Sequence, residues 1–152
     1  MGPEAKLYKN LKENLGGFIW NRIENLSIVG MPDVLGYNRF KRFFTLELKV
    51  TKSNTIKFSP HQIAFHLTHS NGTFILVKHL GQRGLKLFPG STIHELKNKG
   101  FKTKAIADSW PKIQVALDAW RLTLGACSLA LGAWSLCQGA NCRATICRTL
   151  GA

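Results

Sequence analysis

Apolar and polar residues alternate most cleanly along residues 43–51, where Phe44, Leu46, Leu48 and Val50 interleave with Thr45, Glu47, Lys49 and Thr51. A period of two predicts a half-buried β-strand with Glu47 and Lys49 together on its polar face. An earlier stretch has a different period. Leu7, Leu11 and Leu15 recur at four-residue steps with Tyr8 beside them, and Gly16-Gly17 halts the pattern, so residues 4–15 read as an amphipathic helix with a glycine end. Phe18 to Glu24 then reads as a strand. The short apolar run Val34-Leu35 follows the break Gly30-Met31-Pro32-Asp33, and the turn formers between Gly36 and Arg42 fold it back onto the next strand. Such a hairpin would bring Asp33 beside Glu47.

Ser59 followed by Pro60 predicts a capped helix start, with Ile63, Ala64, Leu67 and Phe65 supplying its apolar side. Asn71-Gly72 ends that helix, and the unbroken apolar run Thr73–Val77 predicts a buried strand next to the Glu47 strand. The order is αβββαβ. Beyond it, Leu85–Phe88 predicts a further strand, Pro89-Gly90 a turn and Ser91–Leu96 a short capped helix. Ser109-Trp110-Pro111 opens a last helix whose apolar side, Ile113, Ala116, Leu117, Trp120 and Leu124, can cover the sheet or form a dimer seam. The fold class expected is α/β (α+β): a mixed central sheet flanked by helices, with a C-terminal helical extension. Residues 1–100 form the expected core, 101–124 the added helix, and 125–152 a tail of Ala, Gly, Leu, Cys and Ser that lacks lysine altogether. That tail reads equally as a helical hairpin, an oligomerisation segment or a non-native extension. Its most apolar part is too short and interrupted to span a membrane.

At 152 residues the chain has the size of one domain. Lys and Arg number 21 against 8 acids, for a formal charge of +13 and a pI near 10.0, so a polyanion is the natural partner. A membrane surface would favour basic residues gathered on one amphipathic helix. Here Arg22, Arg39, Lys41, Arg42, Lys52 and Lys57 are scattered through strands and loops, as expected of DNA phosphate contacts whose affinity falls steeply with salt. The polar N-terminus shows no signal peptide, which points to an intracellular protein, in the host cytoplasm if viral. Cys127, Cys137, Cys142 and Cys147 match no common zinc module and read as free thiols.

With so few acids, the approach of Asp33 to Glu47 carries weight. Two carboxylates a few ångströms apart repel, and a hard divalent cation relieves them: Mg²⁺ held by one or two carboxylates, waters and substrate phosphate oxygens, with Mn²⁺ able to substitute. Lys49 beside them can orient an attacking water or stabilise charge developing on a phosphate. Taken alone, a Glu-x-Lys strand is equally an exposed ion pair of small energetic worth.

Pro32-Asp33, Glu47-Leu48-Lys49 and a glutamine, Gln62, opening the next helix together resemble the PD-(D/E)-x-K nuclease superfamily. Arg22-Ile23-Glu24-Asn25 before the turn is similar to the stand-alone phage VRR-NUC group, and archaeal and viral Holliday-junction resolvases share the core. The resemblance covers roughly residues 4–80. It implies a restriction-endonuclease-like core, a Mg²⁺-dependent endodeoxyribonuclease acting on branched or structured DNA, and a homodimer. It further implies Asp33, Glu47 and the Leu48 backbone carbonyl as metal ligands and Lys49 as the catalytic lysine. Gln62 would hold a water or a phosphate. A third carboxylate comes from Glu4 on the first helix or from Glu24, with Glu13 behind them. A sequence-preferring restriction-like nuclease and a catalytically silent DNA-binding protein of the same fold stay open. His61, His66 and His69 are expected on the surface or at the DNA backbone, not as a zinc cluster.

Overall fold

Pro3 opens the first helix, α1 (Pro3–Asn14), where its fixed φ and missing N–H cost nothing. Leu7 and Leu11 bury one stripe of it, and the chain leaves the helix through Leu15, itself buried. The computed structural model describes residues 2–23, 29–82 and 84–120, within a compact unit that runs from Met1 to Leu122. Glu24, Leu124, and the 125–152 tail with its cysteines lie outside the described residues.

Five strands follow in a mixed sheet: β1 (Ile19–Arg22), β2 (Val34–Tyr37), β3 (Phe43–Thr51), β4 (Thr73–His79) and β5 (Gly84–Pro89), side by side in chain order. All neighbours are antiparallel except β3 and β4, which run parallel because the helix α2 (Pro60–Thr68) crosses between them. The expected αβββαβ order is the observed one, with β5 added at the edge. The first strand is shorter than residues 18–24, since only Ile19–Arg22 pair with β2. A 3₁₀ turn (Gly90–Thr92) leads to α3 (Ile93–Lys99). The Thr92 hydroxyl bonds back to the Pro89 carbonyl at 2.8 Å and does not cap the helix.

Each face of the sheet has its own core. Leu46, Leu48, Phe74 and Leu76 project to one side, against Leu7 and Leu11 of α1 and Ile113 and Leu117 of α4 (Trp110–Ala119). Ile75, Val77 and Phe88 project to the other, against Ile93 and Leu96 of α3. The last helix therefore covers the sheet. Its C-terminal end is fastened to the β2–β3 turn, where Asn38 Nδ2 donates to the Leu117 carbonyl at 3.1 Å and the Arg39 guanidinium pairs with the buried Asp118 carboxylate. No helix among the described residues is long and apolar enough to cross a membrane.

Covering on both sides changes β3 from the half-buried strand that its alternation predicts. Thr45, Glu47 and Thr51 are all buried despite being polar. One close approach on the α1 side depends on glycine. Gly36 lies in register between Trp20 and Phe44, whose rings meet over it with centroids 5.7 Å apart, and a β-carbon there would stand 2.5 Å from the Phe44 ring. Gly36→Ala is expected to destabilise the fold by about 1–3 kcal/mol through overpacking. In urea unfolding this appears as a lower midpoint at an unchanged slope.

Candidate active site

The β2–β3 ladder ends at the pair Val34 and Leu46, and one step further its register sets Asp33 opposite Glu47. Asp33 is fixed from two sides. Its carbonyl accepts the Ile23 N–H at 2.8 Å, and its carboxylate Oδ2 accepts the Leu48 N–H at 2.8 Å. A strand residue sends its N–H and C=O to the same edge, so the Leu48 carbonyl projects toward the Asp33 side as well.

Glu47 is fully buried, between β4, where Ile75 is its register partner, and α2. Its Oε1 accepts from Lys49 Nζ at 2.9 Å and from the Gln62 side-chain amide. Its Oε2 is buried and has no partner. Gln62 is oriented by the helix start itself. The Gln62 N–H donates to the Ser59 hydroxyl at 3.2 Å while the Ser59 N–H donates to Gln62 Oε1 at 3.1 Å, a capping box that leaves the amide nitrogen aimed at Glu47. The same residue thus caps its helix and touches the carboxylate.

Phe58, a site neighbour that no motif marks, has its ring centroid 5.8 Å from Lys49 Nζ and gives that ammonium a second contact besides Glu47. The available signal was positional. Phe58 directly precedes the cap and Ile63 sits on the fourth helical residue, and both pack against the second core cluster as a hydrophobic staple does.

Electrostatics follow from burial. Desolvation pushes the Glu47 carboxyl up to about 7, the Asp33 charge adds to the rise, and Lys49 opposes it. Asp33 is likewise raised by desolvation, against the Leu48 N–H bond and the charges of Lys49 and Arg22. Glu4, in the first turn of α1, is within electrostatic reach of Glu47 and raises it slightly further. Glu13 stands nine residues further along the same helix, roughly 13 Å away, paired with Lys9 at 3.9 Å. It is not part of the cluster. Among the described residues no three His, Cys, Asp or Glu side chains form a ready ligand group. Asp33, Glu47 with its unpartnered oxygen and the Leu48 carbonyl nevertheless suit a cation that takes one or two carboxylates and completes its shell with water and phosphate oxygens.

Two expectations need correction. The first concerns His66, expected at the surface, which is fully buried on the inner side of α2 with both ring nitrogens unpartnered, while Ala64 and Leu67 face outward. The cap fixes the helix phase, so Gln62, Ile63 and His66 turn inward. Space for the imidazole exists because Gly90 has no side chain: a β-carbon there would collide with the Thr73 hydroxyl and the His66 ring. His61 and His69 are exposed, as expected.

The second correction concerns the basic residues expected around the site. Arg39, Lys41 and Arg42 belong to the β2–β3 turn, at the far end of the hairpin and roughly 17 Å along β3 from Glu47. Arg39 serves Asp118 there, and Arg42 donates to the Trp120 carbonyl at 3.4 Å. Lys52, as many residues beyond Glu47 as Arg42 is before it, and Lys57, two residues before the α2 cap, are both exposed. Arg22, paired in register with Val34, acts on Asp33 electrostatically. The alternative of an exposed surface ion pair does not hold for Glu47 and Lys49, since Glu47 has 0 % and Lys49 17 % of its side chain open to solvent.

No protein-family model and no curated protein matches the chain. Among solved structures the fold is similar to that of Archaeoglobus fulgidus Hjc, a Holliday junction resolvase from an archaeal hyperthermophile. The two chains are 16% identical over 60% of this chain and 75% of that one, with a TM-score of 0.48.

Proposed function

We propose that the protein is a metal-dependent endodeoxyribonuclease that hydrolyses phosphodiester bonds in branched or structured DNA, and that it belongs with the PD-(D/E)-x-K enzymes its motifs resemble. The observation that carries this reading is the buried, unpartnered Glu47 Oε2 beside Asp33, with Lys49 and Gln62 both committed to the other oxygen. A buried carboxylate oxygen left without a donor is costly, and a cation is the partner that removes the cost. Asp33, Glu47 and the Leu48 carbonyl would hold that ion, with Glu4, whose charge reaches Glu47, as a more distant carboxylate. A bound Mg²⁺ supplies Lewis-acid polarisation of the phosphate and a lowered pKa for water.

The protein's own groups do the rest. Lys49 is a cation fixed on a rigid strand, placed to stabilise charge building on the phosphate oxygens and to hold the attacking water. Uncatalysed phosphodiester hydrolysis is slow enough that an enzyme must remove on the order of 20 kcal/mol of barrier, which calls for charge stabilisation of this kind. Gln62 keeps Glu47 Oε1 occupied and so leaves Oε2 as the free ligand atom. Arg22, whose charge reaches Asp33, and the exposed Lys52 and Lys57 offer phosphate contacts. A homodimer would provide the two sites that paired cuts across a junction require.

The test is a substrate panel of linear duplex, single-stranded, flap and four-way-junction DNA with Mg²⁺, Mn²⁺ or EDTA. Cleavage is expected on the junction or flap with either metal and absent in EDTA. One preferred cut on plasmid DNA would favour a sequence-reading enzyme, and binding without cleavage under every divalent ion would overturn the assignment.

A further inference from the structure

The face of the sheet that carries Glu47 also bears an apolar row outside both core clusters. Ile19, Tyr37 and Phe43 stand abreast on β1, β2 and β3, since Ile19 pairs with Tyr37 and Tyr37 with Phe43. Strand alternation puts Phe43 and Glu47 on the same side, four residues and roughly 13 Å apart. Ile19 is 60% exposed, Phe43 49%, and Phe40 on the adjoining turn 54%. The Tyr37 and Phe43 rings meet edge to face at 5.7 Å, which holds both in place. Large apolar groups gathered in one exposed patch mark a binding surface.

Charge selects the occupant. The turn beside the row reads Asn38-Arg39-Phe40-Lys41-Arg42, with no acid, on a chain of net charge +13. Lys41 is exposed, and the Arg39 side chain remains 53% exposed while serving Asp118. A second copy meeting this face about a two-fold axis would set one basic turn near its own twin, which repels. A polyanion with flat apolar groups meets no such opposition. Nucleobases are flat and apolar on their faces, and they stack on aromatic rings whatever their sequence.

We propose that Tyr37, Phe40 and Phe43 form a stacking platform for unpaired bases of a DNA strand whose backbone reaches the Asp33–Glu47–Lys49 cluster. At the duplex rise of about 3.4 Å per nucleotide the platform lies roughly four nucleotides from Glu47, and an extended unpaired strand spans the same distance with fewer. The inference rests on the nuclease reading and narrows its substrate to DNA with a single-stranded segment next to the cut.

Binding measured in EDTA keeps this test separate from cleavage. Phe40→Leu/Phe43→Leu retains apolar bulk and removes two π-faces from exposed positions. Its affinity for a single-stranded oligonucleotide is expected to fall about fivefold or more per ring, while affinity for a duplex of equal length holds within about twofold. Quenching of a 2-aminopurine base by the wild-type protein should weaken in parallel. Unchanged single-strand affinity would overturn the proposal, and so would conversion of a dimer to a monomer in sedimentation, which would make this face a protein interface. If the wild type quenches the base in EDTA yet cuts nothing with Mg²⁺, the nuclease reading fails and the platform stands.

Discussion

Lys49→Ala protein is expected to cleave roughly 10²- to 10³-fold more slowly than wild type, the usual effect of removing one preorganised charge-stabilising group, while still binding DNA in EDTA. Lys49 Nζ contacts both Glu47 Oε1 at 2.9 Å and the Phe58 ring, so its position is set before any substrate arrives. Arginine should not rescue it, because a planar fork does not reproduce the contacts of a compact ammonium. Asp33→Ala and Glu47→Ala are expected to go further and abolish cleavage, since each removes a carboxylate that would hold the cation. Calorimetry with Mg²⁺ alone separates the roles: Lys49→Ala should still take up the ion, and the two carboxylate variants should not. Circular dichroism checks folding, most of all for Glu47→Ala, which strands Lys49 without its counter-charge. Cleavage at the wild-type rate by all three variants would remove the nuclease reading.

What was legible in the sequence is what depends on local periodicity. Alternation along residues 43–51 gave the strand and put Glu47 and Lys49 on one side, and turn chemistry folded Asp33 back to them. Ser59-Pro60 gave the helix start that carries Gln62. The misreadings arose where position depends on what packs against an element. Glu47 looks like a solvent-facing residue until the crossover brings α2 and its Gln62 against it. His66, expected outside because no carboxylate accompanies it at helical spacing, turns inward, since the cap and Ile63 fix the phase of so short a helix. Counting one turn on from Gln62, which faces Glu47, would have put His66 inside. Arg39, Lys41 and Arg42 are close to Glu47 in sequence and distant in space because a hairpin turn lies at the opposite end from the residues its strands bring together.

Across pH 4.5 to 6.5 the wild-type unfolding free energy is expected to change less than either group alone would make it, because two buried groups change it in opposite directions. Glu47 has an ordinary value of 4.5 and a folded one of about 7. The unfolded chain releases this proton first, so the contribution is present below 4.5 and is lost as pH rises through 7. His66 has an ordinary value of 6.5 and a folded one of about 4, chiefly through burial. Here the unfolded chain takes up the proton first, so its contribution is present above 6.5 and is lost as pH falls through 4. Each shift corresponds to roughly 3 kcal/mol. Asp33, also raised, acts in the same direction as Glu47. Substituting either residue should expose the other. Glu47→Gln, which can still accept from Gln62, is expected to gain stability steeply from pH 4 to 6.5 and to lack the wild-type decline toward pH 8. His66→Gln should do the reverse, falling from pH 4.5 to 7. Urea unfolding at pH 4.5, 5.5, 6.5 and 8 reads both curves, and a Glu47→Gln profile superimposable on wild type would refute the raised carboxyl. Divalent cations connect this to function. Mg²⁺ binds only the ionised carboxylate, so adding it at pH 8 should stabilise the wild type by RT ln(1 + [Mg²⁺]/Kd), rising with the logarithm of concentration above Kd, and leave Glu47→Gln unmoved. The burial that makes Glu47 destabilising above neutral pH is therefore expected to make it responsive to the cation.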